Sequence, residues 1–145
     1  MSQYTKILVA IDLSEDSSQV VKRGQAIARN NAAELHIIHV IEPLSFAYGG
    51  DIPMDFSGIQ DEIHQQATQQ LQRFAEANEI NAEHQHIVLG RPEVEIHATA
   101  EELGADLIVV GSHGRYGLAL LMGSTANGVL HGAGCDVLAV RVGKN

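Results

Sequence analysis

The sequence predicts one α/β domain with an open, five-stranded parallel sheet and helices on both faces. Short apolar runs such as Ile7 to Ile11 and Leu107 to Val110 lack polar alternation, which is typical of strands covered on both faces. Segments with apolar residues at helical spacing separate these runs. Regular alternation of strand and helix favours parallel pairing through right-handed crossovers. A chain of 145 residues fits a single domain, residues 1–145.

The first strand, Ile7 to Ile11, leads into a helix at Asp12 to Ser14. Asp12 and Glu15 have the spacing of a capping box, and Ser14 is an alternative cap. Asp12 also stands at the carboxyl end of a central strand, where α/β sheets bind ligands. The apolar stripe of the helix consists of Val20, Gly24, Ile27 and Ala28.

The second strand is predicted at Leu35 to Ile41, and an aperiodic loop follows Pro43. A loop of this length is typical of a lid, an interaction surface or local disorder. The chain's strongest helical stripe comes next, with a polar opposite face that indicates a solvated covering helix. The stripe consists of Ile59, Ile63, Ala67, Leu71 and Phe74, and the polar face of Gln60, Glu62, Gln65, Gln66, Gln69 and Gln72.

The second half of the chain repeats the alternation. An edge strand at His84 to Leu89 precedes a turn at Gly90 to Pro92, and proline suits the first position of the helix that ends at Gly104. The fourth strand, Leu107 to Val110, is followed by a glycine-rich loop and a short helix up to Gly134. The fifth strand is Asp136 to Arg141.

Charge and composition exclude several classes of protein. The formal charge of −9 and the absence of a basic stripe argue against binding to DNA, RNA or anionic membranes. The sequence contains neither a signal-like segment nor an apolar run of roughly 20 residues, so we expect a cytoplasmic protein. Cys135 is the only cysteine and is expected to be a small buried thiol without chemistry.

The histidines of the strands do not form a metal site by their spacing. His36 and His39 are three residues apart and should point to opposite faces of the sheet. His84 and His86 share a face, but no third ligand is near in sequence, so we expect exposed side chains and no bound metal.

A glycine-rich loop after the fourth strand is the candidate functional segment. Glycines at 111, 114, 117 and 123 let the backbone approach a bulky anion. Ser124 and Thr125 follow where a helix begins, so free N–H groups and hydroxyls would meet a phosphate at the positive end of the helix dipole. A surface loop with Ser124 or Thr125 as a simple cap is the alternative.

Known phosphate motifs are absent. No Walker lysine motif occurs, and no glycine-rich turn follows the first strand, which excludes P-loop and dinucleotide-binding fingerprints. A phosphorelay receiver would need an acidic pair after strand one and an acceptor aspartate after strand three, where Leu89 and Gly90 stand.

The chain resembles the universal stress protein family over essentially its whole length. The resemblance lies in Lys6 to Ser14, His39-Val40, Gly90-Arg-Pro92, Ala105 to Gly114, and Gly123-Ser124. It implies the sheet order 3-2-1-4-5 of the adenine nucleotide alpha hydrolase-like fold. It also implies a homodimer formed through strand five, Val137 to Arg141, and an adenine-nucleotide site for ATP or AMP, with any Mg²⁺ arriving on the phosphates.

The resemblance also implies roles for individual residues. Asp12 would accept a hydrogen bond from a ribose hydroxyl, beside Ala10 and Ile11, and Val40 would offer backbone groups to the adenine. Arg115 is a cation that could reach a phosphate. The residues that would hold the ribose and phosphates are Gly111, Gly114, Gly123, Ser124 and Thr125.

One departure from the family pattern keeps three functions open. Nucleotide-binding members have nine residues between the second and third glycines of the motif, whereas eight separate Gly114 from Gly123 here. The first function is a nucleotide-dependent regulatory dimer that contacts other proteins in the stress response without robust catalysis. The second is an interaction dimer without nucleotide. The third is a slow ATP hydrolase, for which only His113 and Arg115 in the loop could assist phosphoryl transfer.

Overall fold

The computed structural model describes residues 3–43, 57–111 and 134–141. Five parallel strands form one sheet in the order β3-β2-β1-β4-β5, which confirms the predicted fold class and strand order. The strands are β1 Lys6–Ala10, β2 Glu34–Ile41, β3 Gln85–Leu89, β4 Leu107–Gly111 and β5 Asp136–Val140.

Three helices accompany the sheet in this part of the chain: α1 Ser17–Asn31, α2 Ser57–Ala77 and α3 Pro92–Leu103, with a 3-10 turn at Ala82–His84. The long loop predicted after Pro43 and the short helix predicted before Gly134 fall mainly outside the described residues. None of the described helices combines the length and the apolar character that a membrane span requires.

The core has two layers, one on each face of the sheet. Ile7 and Val9 of β1 belong to a cluster with α1 and α2, whereas Leu8 and Ala10 belong to a cluster with α3. Side chains of a strand alternate between faces, so a continuous apolar run is what a strand buried on both faces requires. The helices on both faces confirm that interpretation.

The strand order places a crevice at the carboxyl end of β1. β1 pairs with β2 on one side and with β4 on the other. The helix α1 that leaves β1 packs on one face, whereas α3, which leads into β4, packs on the other. The connections therefore diverge between the ends of β1 and β4, and this is where open α/β sheets bind ligands.

The turn between β1 and α1 differs from the predicted capping box. The helix begins at Ser17, with Asp16 at the N-cap position and no side-chain cap. Leu13 takes a left-handed φ of 63°, which turns the chain before the helix can start. Asp12 instead accepts hydrogen bonds from the Ser14 N–H and the Ser17 hydroxyl, so it holds the turn together.

α1 packs tightly against the sheet at Gly24, and we expect the Gly24→Ala variant to be less stable. An added Cβ would lie 2.7 Å from Val9 Cγ2 and 3.3 Å from Leu35 Cδ1. Overpacking of this kind costs about 1–3 kcal/mol, more than the ~1 kcal/mol that alanine gains in helix propensity. Chemical denaturation measures the difference. Gly58→Ala in α2, where an added Cβ meets nothing within 4 Å, is the control and should be neutral or stabilising.

Cys135 precedes β5 and is half-buried rather than buried. Burial raises the pKa of its thiol, and the nearby carboxylates of Asp136 and Asp106 raise it further. The thiol therefore favours its protonated form near neutral pH.

The histidines predicted to be exposed lie in a cluster, which corrects the sequence-based prediction. His84 is half-buried at the end of the 3-10 turn, and His86 is half-buried in β3. Their rings lie 4.3 Å and 5.1 Å, centroid to centroid, from that of His36, which is only 5% exposed in β2. Lateral pairing of β2 with β3 brings the three rings together. His39 points to the opposite face, as predicted.

Acid is expected to destabilise the fold through His36 and His86. Burial lowers the pKa of both imidazoles, although Glu34 beside His36 and Glu102 near His86 oppose the shift, while His84 and Lys6 add to it. Below the unfolded pKa of about 6.5 the unfolded chain therefore binds more protons than the folded chain, so the free energy of unfolding decreases as the pH is lowered.

Urea denaturation in the presence of EDTA, at about pH 7.5 and about pH 5.5, checks this pH dependence. The stability of the His86→Gln variant should change less between the two conditions. Equal losses in the variant and the original chain would contradict the assignment to this cluster.

Candidate functional site

A cleft opens at the crevice between the carboxyl ends of β1 and β4. Four of the residues predicted for the site border it: Ala10 and Ile11 at the end of β1, Asp12 in the following turn, and Gly111 at the end of β4. The other described residues that line it come from the start of α1, and they are Ser14, Asp16, Ser17 and Val20. The structure thus brings together segments that are about a hundred positions apart in the sequence.

The local turn orients the Asp12 carboxylate. Its Oδ1 accepts a hydrogen bond from the Ser14 N–H at 2.9 Å and one from the Ser17 hydroxyl at 3.2 Å. Such an Asx turn fixes the side chain relative to the backbone. Leu13 has a positive φ, a conformation that costs of order 1–3 kcal/mol and is concentrated at functional sites.

A second cavity lies on the other side of Asp12, towards β2 and α2. Its volume is about 230 Å³, and it is bordered by His39 and Ile41 at the end of β2. The remaining lining residues are Leu13, Ile63, Gln66, Ala67 and Gln70. Asp12 borders both spaces, so its carboxylate stands between a narrow cleft and a larger, partly apolar cavity.

His39 connects the ends of β1 and β2. Its Nδ1 lies 3.0 Å from the carbonyl oxygen of Ile11. A carbonyl oxygen only accepts, so Nδ1 carries a proton and donates it to this hydrogen bond. His39 and Ile11 are only 6% and 2% exposed. The hydrogen bond from His39 therefore gives a partner to a buried carbonyl oxygen at the edge of the site.

Val40 occupies a different position from the other predicted residues. Its side chain is fully buried in the cluster on the α3 face, and Val40 does not line either space beside Asp12. The role predicted for its backbone groups stays a prediction.

The remaining predicted site residues lie outside the described residues. They are Gly114, Arg115, Gly123, Ser124 and Thr125. The same holds for Gly117 and for His113. Their predicted contacts with ribose and phosphate stay predictions.

Sequence reasoning missed the α2 side of the site. The sequence pattern places Gln66 on a solvated polar face and does not distinguish Gln70, yet both side chains border the second cavity next to Ile63. Their position at the boundary between the polar and apolar faces of α2 is the only sequence signal available. Ser17 was likewise missed, because its contact with Asp12 depends on the turn at Leu13.

Comparison with known proteins identifies relatives along the whole chain. A family model described as the universal stress protein family matches residues 3–141. Universal stress protein A homolog 2 of Coxiella burnetii is 41% identical over 146 residues, covering 98% of both chains. Universal stress protein A homolog 1 of the same organism is 42% identical over 139 residues, covering 94% of this chain and 96% of the relative.

A solved structure with the same fold carries a ligand. It is a universal stress protein in complex with cAMP, with a TM-score of 0.61 and 28% identity, and the match covers 96% of this chain and 98% of that one.

Proposed function

We propose that the chain, which belongs to the universal stress protein family, binds an adenine nucleotide and acts as a regulatory module in the cytoplasm. The nucleotide would occupy the crevice at the ends of β1 and β4. Its presence would change how a dimer of the chain contacts other proteins under stress. The proposed role of the chain is nucleotide binding without robust catalysis.

The main support for the proposal is the position of Asp12, where the turn after β1, the diverging connections of the sheet and Gly111 of β4 meet. The carboxylate is held in place by its own turn, at the point where the sheet's connections diverge, and Gly111 stands across the cleft from it. A fixed carboxylate is a strong acceptor for the vicinal hydroxyls of a ribose. The cAMP complex of a related protein supports an adenine nucleotide as the class of ligand.

The second cavity suits the base of such a ligand. Its volume of about 230 Å³ is smaller than the ~300–1,000 Å³ of whole-ligand pockets, so it fits part of a nucleotide. Ile41 and Ile63 supply apolar walls, while Gln66 and Gln70 supply amide donors and acceptors. With the base there and the ribose at Asp12, the phosphates would extend towards Gly111 and the glycine loop that follows it.

The proposed contacts with the phosphate groups are inferred from the sequence. Backbone N–H groups and hydroxyls of the predicted loop residues would receive the phosphates, and Mg²⁺, if used, would arrive with them. The segment contains no lysine, and fast phosphoryl transfer needs more charge stabilisation than His113 and Arg115 offer. We therefore propose binding of ATP or AMP with at most slow hydrolysis.

The proposed dimer would form through β5. This strand stands at an end of the sheet and pairs with β4 on one side. Val137, Leu138 and Val140 are half-buried within it, so the strand has apolar surface left to cover. Edge strands of this kind are ready to pair with a second copy.

A second candidate is an interaction dimer that binds no nucleotide. The eight residues between Gly114 and Gly123, instead of nine, favour it, because a shorter loop would shift the phosphate donors relative to Asp12. Binding measurements separate the two candidates.

The test is to find out which nucleotide the protein carries and prefers. Protein purified without added nucleotide is denatured and its supernatant is analysed by chromatography, and the melting temperature is measured with ATP, AMP, cAMP and, as the control, GTP. A ligand that binds only the native state raises the melting temperature. We expect a shift with adenine nucleotides that exceeds the shift with GTP. No released adenine compound and no shift would favour the nucleotide-free dimer.

A further inference from the structure

A cluster of three potential metal ligands lies at the opposite end of the sheet from the cleft. Glu34 and His36 stand at the start of β2, and His84 ends the 3-10 turn before β3. One ligand atom from each residue lies within 4.8 Å of the other two. The cluster is about seven residues of strand, roughly 20 Å, from the end of β2 that borders the nucleotide cleft.

The spacing of the ligand atoms matches a tetrahedral site. His84 Nε2 lies 3.2 Å from Glu34 Oε1, and His36 Nε2 lies 3.3 Å from Glu34 Oε2. Zinc bonds of about 2.0–2.2 Å at tetrahedral angles place neighbouring ligand atoms about 3.3–3.5 Å apart. Because the two nitrogens approach different carboxylate oxygens, a rotation of the Glu34 carboxylate would bring one oxygen within reach of an ion bound by both imidazoles.

His36 supplies the observation that points to a ligand. Its Nε2 is buried and makes no well-aligned hydrogen bond among the described residues, and its nearby acceptor, Glu34 Oε2, lies 3.3 Å away. A buried nitrogen without a well-formed hydrogen bond destabilises the folded chain. A metal ion bound by the lone pair of Nε2 would remove that cost.

The other nitrogen of His36 has the partner that a metal ligand requires. Its Nδ1 lies 2.9 Å from His86 Nε2, so one of these two atoms donates to the other. When Nδ1 donates, the lone pair of His36 lies on Nε2, the ring atom that is 3.3 Å from Glu34 Oε2. Histidine ligands of metals usually donate their second N–H in this way, which fixes the tautomer and the ring orientation.

The surroundings allow a cation to enter. Side chains of Glu34 and His84 are 42% and 25% exposed, so the cluster is open to solvent on one side. Lys6 Nζ lies 3.3 Å from Glu34 Oε2, whereas Oε1 faces His84. An ion bound through Oε1 would leave the pair with Lys6 in place.

We propose that Glu34, His36 and His84 bind one divalent transition-metal ion, Zn²⁺ being the best match, with His86 as a positioning residue and water at the fourth coordination position. Imidazole and carboxylate ligands in this number and geometry are typical of zinc. The ion connects the start of β2 to the turn before β3, so its expected effect is to stabilise that edge of the sheet. The site is independent of the proposed nucleotide function.

The first experiment measures zinc binding to the full chain, without an affinity tag and after treatment with EDTA. Calorimetric titration with Zn²⁺ should give one ion per chain, and Zn²⁺ should raise the melting temperature. His84→Gln and Glu34→Gln should each weaken binding at least about tenfold. His64→Gln, on the exposed face of α2, is the matched control and should bind as the original chain does.

Two results would overturn the proposal. One is the absence of a melting shift and of heat on titration of the original chain. The other is binding that His84→Gln and Glu34→Gln both leave as tight as before, which would assign the ion to other histidines. Having two ligand variants on different elements keeps the test valid if one of them fails to fold.

Co²⁺ reports the coordination geometry of the bound ion through its absorption spectrum. A substitution that only destabilised the fold would not change that geometry. Co²⁺ in place of Zn²⁺ should show the strong visible absorption of a tetrahedral site, and His84→Gln should abolish it. His86→Gln should weaken the affinity about 10–100-fold while it preserves the tetrahedral spectrum, because His86 acts through His36. An octahedral spectrum in the original chain would contradict the assigned geometry.

Discussion

Replacing Asp12 with alanine is expected to weaken adenine-nucleotide binding about 10- to 100-fold. The side chain is a charged acceptor held in place at the cleft, and hydrogen bonds to charged groups contribute about 1.5–3 kcal/mol, which corresponds to that range of affinity. Isothermal titration with ATP and with cAMP measures the loss. Because Asp12 also holds the turn through Ser14 and Ser17, the variant should unfold at a somewhat lower temperature even without ligand.

Glu15→Ala is the matched control for Asp12→Ala. Glu15 is exposed in the same turn and carries the same charge, but it does not line the cleft. Its removal should leave the affinity within about twofold, since an exposed charge acts only through screened, long-range attraction or repulsion. Equal affinity losses in the two variants would mean that overall charge, and not a specific contact, governs binding.

Replacing His39 with leucine is expected to lower the free energy of unfolding by about 2 kcal/mol. Leucine fills similar space but cannot donate to the Ile11 carbonyl, and an unsatisfied buried acceptor costs about 1–3 kcal/mol. Urea denaturation measures this loss. Since Ile11 borders the cleft and His39 borders the second cavity, we also expect weaker nucleotide binding.

His64→Leu separates a specific effect of His39 from a general effect of losing a histidine. His64 is exposed on α2, where substitutions usually change stability by no more than about 0.5 kcal/mol. If His39→Leu were as stable as His64→Leu, the hydrogen bond to Ile11 would contribute nothing to the fold.

The fold was predictable because a strand that is buried on both faces requires a continuous run of apolar residues, which can be read from the sequence. The continuous apolar runs around Val9 and Val109 lie at the centre of the sheet, and both residues are fully buried. The stripe that predicted α2 supplies Leu71 to the core cluster on the same face as α1, and Phe74 packs against that cluster. The strand order came from the family resemblance, because spacing along the chain does not determine which strands pair.

Two features could not be predicted because they depend on single dihedral angles or on strand register. The left-handed turn at Leu13 moves the helix start to Ser17 and converts Asp12 from an expected capping-box residue into the acceptor within the turn. The cluster of His36, His84 and His86 forms only when β2 and β3 pair side by side. Local spacing correctly separated His36 from His39 but contained no information about residues that are about fifty positions away.

The sequence predicted the site residues at the strand ends but not those that α2 contributes. Ala10, Ile11, Asp12 and Gly111 border one cleft because the ends of adjacent parallel strands meet at one edge of the sheet. The contribution of α2 was not predictable, since the packing angle of a covering helix decides which of its border residues reach the cavity. Gln66 and Gln70 are such residues.

The most direct test of the central claim is a titration of isotope-labelled protein with ATP, followed by the backbone amide signals in NMR spectra. The account predicts that the signals of Ile11, Asp12 and Gly111, at the carboxyl ends of β1 and β4, shift and saturate together. Signals at the far end of the sheet, such as those of Glu34 and His36, should stay in place. Shifts confined to other parts of the chain, or no shifts at millimolar nucleotide, would contradict an adenine-nucleotide site beside Asp12.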